Sequence, residues 1–155
     1  MAWLRRAVSV EVPAPPAELA RTLMAALGRD SRPRLHGQAG PFGFALHSEW
    51  RPALLRQHYP VEASGTFSPS AGGTRVDATI SVGFAVQFML AGAAGVAGVA
   101  LWGGLVGRWP AATAALVTVV AAGHVYSVLA NLRDAERTLR LALGVRPVGP
   151  NAEAS

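Results

Sequence analysis

The chain contains no cysteine and no lysine. Without cysteine, a disulfide framework, a thiol nucleophile and a cysteine-ligated zinc site are all excluded. The same absence agrees with a cytoplasmic soluble part. Without lysine, all fourteen cationic side chains are arginine. Together with abundant Ala, Gly and Pro, this suggests high-GC codon usage and hence a bacterium. Charge is scarce as well: 15% of residues are Asp, Glu, Lys or Arg, against about 25% in an average soluble domain. The scarcity is local, because between residues 83 and 132 Arg108 is the only charged side chain.

Chemical motifs are missing too. There is no HExxH, and His36, His47 and His58 lack metal-ligand spacing. His47 and Glu49 alternate in an extended segment and share a face, with His58 nearby, a grouping that chance places on a polar strand. Ser64-Gly65 lacks the GxSxG elbow. Gly72-Gly73-Thr74 has neither the lysine nor the following helix of a phosphate loop. The expectation is a protein without catalytic residues, metal or cofactor, and not an enzyme. The net charge of +5 rests on scattered arginines with no basic helix, so nucleic acid is not an expected partner. Attraction to anionic lipid headgroups explains the charge more simply. The opening MAWLRRAVSVEVP has no apolar core or cleavage site, so no signal peptide is expected.

What the sequence does have is a long apolar run. Residues 83–132 read GFAVQFMLAGAAGVAGVALWGGLVG, RWP, then AATAALVTVVAAGHVYSVLANL. A bilayer core of about 30 Å needs roughly 20 apolar residues of helix. The run therefore predicts two transmembrane helices, about 83–107 and 110–132, folded as a hairpin. Pro110 suits a first helical turn, and Trp102 and Trp109 suit an interfacial belt near the turn.

Before the hairpin, residues 1–82 read as an α+β domain. Val8, Val10 and Val12 alternate with polar residues as in a half-buried strand. Pro13, Pro15 and Pro16 stop it and lead into a helix that places Leu19, Leu23, Ala26 and Leu27 on one face and ends near Gly28. Short strands follow at 35–39, 42–47, 53–58, 61–68 and 74–82. Phe42, Phe44 and Leu46 alternate in the second of these. PSAGG links the last two as a hairpin turn. The predicted fold class is α+β: a small antiparallel sheet with one N-terminal helix, then a two-helix transmembrane hairpin whose second helix extends into the cytoplasm.

Two phrases carry a resemblance. SVEVPAPPAELARTL resembles the first strand and helix of the START-like, helix-grip superfamily, and GGTRVDATISV resembles one of its later strands. The placement of Gly37, Phe42, Phe44, Pro60, Gly65, Gly73 and Thr74 before an apolar hairpin also resembles a set of two-span bacterial membrane proteins of unknown role. The chain departs from the helix-grip pattern by entering the apolar run where that group has its long closing helix. A full ligand cavity therefore does not follow, and no functional residue transfers.

Arginine placement sets the expected topology. Nine arginines precede the first span, four follow the second, and the connecting turn holds Arg108. Both termini are expected in the cytoplasm, with the chain a multi-pass protein of the bacterial inner membrane. Within the spans, Gly95, Gly98, Gly103 and Gly107, and then Ala114, Thr118 and Ala122, give small residues at helix-packing spacing. They pack the two helices on each other, or on another copy or a partner subunit. Gln87 and Asn131 fall at matching depth and are placed to hydrogen-bond. His124 lies deeper, about 13 Å from Arg133 along the helix. It is a functional candidate by its depth, or it is satisfied by a backbone carbonyl, Thr118 or Ser127.

Beyond the membrane, residues 133–144 continue the helix, with Leu132, Ala135, Leu139 and Leu143 on one side and Gly144 as the stop. That stripe is expected to dock on the N-terminal sheet, where it would supply the closing helix, or on a partner. The tail, 145–155, reads as disordered. Two functions remain. One is a membrane-anchored module that binds a protein or an apolar ligand, with an exposed groove on the sheet in its favour and a sheet face wholly covered by its own helices against it. The other is an oligomeric membrane pathway lined by His124, as homo-oligomer or with a membrane-protein partner in the bilayer.

Overall fold

A computed structural model describes residues 4–30, 35–49 and 59–145. The expected strand at 53–58 and all but the first residue of the tail lie outside them. Eight elements follow in order: β1 (Arg5–Val12), α1 (Pro16–Asp30), β2 (Leu35–Gly40), β3 (Gly43–Ser48), β4 (Val61–Ser70), β5 (Gly73–Val82), α2 (Phe84–Leu105) and α3 (Ala111–Ala142). The fold is α+β.

The five strands form one antiparallel sheet in the order β1-β5-β4-β3-β2. β2 to β5 pair in sequence order, with two-residue turns joining β2 to β3 and β4 to β5, and β1 pairs with β5. Strand parity divides the residues. Val8 and Val12, Phe44 and Leu46, Val61 and Phe67, and Val76, Ile80 and Val82 are buried on one face. Ser9, Ser64, Thr66, Arg75 and Thr79 are exposed on the other. Phe42 departs from the expected alternation. It sits in the two-residue turn between β2 and β3 and is 85% exposed. The glycines on either side close the hairpin, so the strand starts one residue later than the aromatic spacing implies.

Helix α1 lies on the apolar face through Leu19, Leu23 and Leu27, an i, i+4 stripe. Ala26, on the margin of that stripe, is exposed. The second cover is the C-terminal half of α3. Val128, Leu132, Ala135, Leu139 and Ala142 are all buried there, with Leu143 just beyond. The expected stripe thus docks at home and closes the sheet. Fully burying each leucine contributes about 1.5–3 kcal/mol. Gly144 ends the helix in a left-handed conformation, φ +73°, as its position in sequence implied.

Helix α2 and the N-terminal half of α3 project from the end of the sheet where β5 finishes. Both helices are long and apolar enough to cross a membrane. The turn between them needs Gly107, which takes φ +70°. The two helices pack on each other near this turn, where a Cβ placed on Gly104 would lie 3.0 Å from the Ala114 methyl.

Candidate functional site

Several partly buried polar groups meet where the sheet joins the helical hairpin. Helix α3 creates this junction. It is a single helix of 32 residues, about 48 Å long. Its first half lies against α2, and its second half lies against the sheet.

On the apolar face of the sheet, Arg6 shares strand parity with Val8, Val10 and Val12 and so points at the helices. Its Nη1 donates to Glu136 Oε2 of α3 at 2.6 Å. Arg140, one turn on, donates to Glu136 Oε1 at 3.1 Å. Partial burial acts to raise the Glu136 carboxyl, but the hydrogen bonds and charges of Arg6 and Arg140 outweigh it and hold the group below the usual glutamate value. This triad fixes α3 in register on β1.

The second link is at the other side of the junction. The hydroxyl of Tyr59, immediately before β4, and Nδ1 of His124 share a hydrogen bond of 2.5 Å, and their rings meet edge to face. Tyr59 is 3% exposed. Burial pushes its phenol up, so it keeps its proton and can donate. His124 is thereby bonded to the segment that leads into the sheet. Thr118, one of the partners expected for it alongside Ser127 or a backbone carbonyl, donates instead to the Ala114 carbonyl at 2.9 Å. A third tie is Gln87, whose amide donates to the Val82 carbonyl at 2.9 Å, across the step from β5 into α2. Asn131 is buried beside Leu132 and Val128.

The small residues split into two groups. Ala114 is buried against Gly104, and Gly103 is buried beneath the Trp109 ring, which a Cβ there would meet at 3.2 Å. Gly95 and Gly98 face outward, with nothing within 4 Å of a Cβ at either position. Ala122 is exposed, and Gly107 lies beyond the end of α2. Only part of the small-residue pattern therefore packs α2 on α3 within one chain.

The exposed sheet face has its own arrangement. Near its far end Ser9 Oγ donates to Asp77 Oδ1 at 2.6 Å, and Arg75 Nε donates to the same carboxylate. The Ser9 hydrogen bond, aided by Arg75 and offset by some desolvation, holds Asp77 below the usual aspartate value. At the junction end, register aligns Arg5 with Ser81, Ser81 with Glu62, Glu62 with His47, and His47 with His36. Among the described residues no three His, Cys, Asp or Glu side chains are grouped to hold a metal ion.

Sequence reasoning pairs Glu136 with nearby arginines of its own helix, as Arg140 bears out, but missed Arg6 as its partner across the sheet and missed Tyr59. Arg6 was detectable from its parity with the three valines. Tyr59 carried no periodic signal. No protein-family model matches the chain, and no curated protein shows significant similarity to it.

Proposed function

We propose that α2 and the first half of α3 form a transmembrane hairpin that holds the sheet domain rigidly at a membrane surface as an interaction module. The unbroken α3 carries this reading. One helix is lipid-compatible along its first half and locked into a folded domain along its second. In their most apolar stretches only 17% of α2 and 11% of α3 is buried, unlike the mostly buried core helix of a soluble protein. Phe88, Val96, Val99, Leu105, Leu116 and Val119 stand exposed along the projecting hairpin. A soluble monomer rarely exposes a contiguous apolar patch above a few hundred Å², and lipid would cover this one. Two adjoining helices also meet the requirement that every backbone group be bonded inside the bilayer.

The apolar face of the sheet is covered by α1 and α3, which removes the support that an open groove would have given to binding an apolar ligand there. Interaction is assigned instead to the exposed face. The arginine distribution supports an inner-membrane protein with both termini in the cytoplasm and Arg108 on the far side. No catalytic step is assigned. A second reading, an oligomeric pathway, is favoured by one observation: Gly95 and Gly98 present a small, unoccupied surface outward.

In-membrane cross-linking with mass spectrometry at native abundance separates the two. The proposal expects a reproducible neighbour cross-linked through the exposed sheet face. Self-cross-links through the Gly95–Gly98 face, with no other protein, would replace it with the oligomeric reading.

A further inference from the structure

The exposed face of the sheet is not uniform. Its middle row, Ala7, Thr79, Ser64, Ala45 and Gln38, carries no charge. The far rows hold Arg75 and Asp77 already paired to each other. The row at the end where the chain enters α2 is different. It reads Arg5, Ser81, Glu62, His47, His36 across all five strands. Residues directly opposite on antiparallel strands share a face, so these five form one line. Ser81 is two residues before Gly83, and Phe84 opens α2. Glu62 leans towards that entry point, since a Cβ on Gly83 would lie 3.3 Å from its Oε1. Phe84 and Phe88 stack at the base of α2 and are strongly exposed, 81% and 73%.

We infer that this row binds the headgroup of a phosphoethanolamine lipid, an inference that rests on the transmembrane reading of the hairpin. With Phe84 and Phe88 in the acyl boundary, the row lies at headgroup height. Arg5 and Glu62 stand one strand to either side of Ser81, and adjacent strands are about 4.8 Å apart. A cation, a hydroxyl and an anion in line match a phosphate joined by a short carbon link to an ammonium. Arg5 and the Ser81 hydroxyl donate to the phosphate, and Glu62 accepts from the ammonium. His47 flanks Glu62 and lies beside His36, with the two rings tilted and 6.5 Å between their centroids, closing the line on the β2 side. A choline headgroup has no N–H to give Glu62, and a glycerol headgroup has no cation, so the row discriminates among lipids that share the phosphate.

The full chain is reconstituted in vesicles of equal parts phosphatidylethanolamine, phosphatidylcholine and phosphatidylglycerol, and the lipids it retains are counted by native mass spectrometry. Alkaline extraction of the same vesicles reports insertion independently. The expected result is retention of the ethanolamine lipid over the choline lipid. Glu62→Gln should lower that preference by about two- to fivefold, the range of a solvent-exposed charge pair. Arg5→Gln should lower retention of all three lipids, and Thr79→Ala in the neutral row should change nothing. An inserted wild type with no headgroup preference overturns the inference alone, as does Glu62→Gln with its preference intact or Thr79→Ala with an equal loss. A chain that alkali extracts overturns both the inference and the transmembrane reading.

Discussion

At the scale of single residues, the junction is tied by partly buried polar groups that are bonded to one another. Glu136 shows how their charge enters stability. Its carboxyl is held below the ordinary glutamate value by Arg6 and Arg140. A depressed folded value stabilises the folded state above the unfolded glutamate pKa of about 4.3, and that contribution is lost as pH falls through the folded value. Thermal unfolding of the protein in lipid nanodiscs, followed by tryptophan fluorescence, should therefore show stability falling on acidification below about pH 4.5. Glu136→Gln should be less stable at neutral pH and flatter across that acid range. A variant as steep as wild type would show that Glu136 is not the titrating group. Tyr59→Phe removes only the hydroxyl bonded to His124, and should cost about 1 kcal/mol in the same assay, with His124→Ala adding little on top of it. Full additivity of the two would mean that the pair does not act as a unit.

At the scale of elements, much was legible and the reasons are physical. Strict alternation in β1 and β5, the prolines before α1 and the Gly144 stop all act locally, and the structure follows them. The docking stripe of α3 was legible because Leu132, Ala135, Leu139 and Leu143 repeat at helical spacing where charge returns to the chain. Phe42 misled because a turn residue kept the strand's parity. The polar pairs were harder. Arg6 with Glu136 and Tyr59 with His124 join positions far apart in sequence, and no local pattern encodes which strand end meets which helix turn. The five-residue row on the exposed face needed the register of every strand. Helix α3 offers a direct check. Leu139→Ala leaves a cavity under the sheet and should cost about 2–5 kcal/mol, whereas Leu141→Ala, on the exposed side of the same turn, should cost well under 1 kcal/mol. Equal losses in a denaturant titration would place the docked stripe on the wrong face.

At the scale of the whole molecule, the chain is one sheet domain and one apolar hairpin sharing a helix. Ser127→Pro, where α3 passes from hairpin to sheet, interrupts that helix at a cost of about 3 kcal/mol or more. The expected outcome is a chain still retained by membranes through α2, with a sheet domain cleaved faster by protease. Protease resistance equal to wild type would mean that continuity of α3 is not what couples the parts. The central claim, that the hairpin crosses a bilayer, is open to an unusually clean measurement because the chain has no native thiol. Single cysteines replace Ser64 on the sheet, Arg108 at the hairpin turn, and Val96 and Val119 between them, and a membrane-impermeant maleimide is added to sealed vesicles of each orientation. The prediction is that Ser64→Cys reacts from one side only, Arg108→Cys from the opposite side only, and Val96→Cys and Val119→Cys from neither until detergent is added. Labelling of Ser64→Cys and Arg108→Cys from the same side, or ready labelling of the two valine positions from water, would contradict a membrane-spanning hairpin.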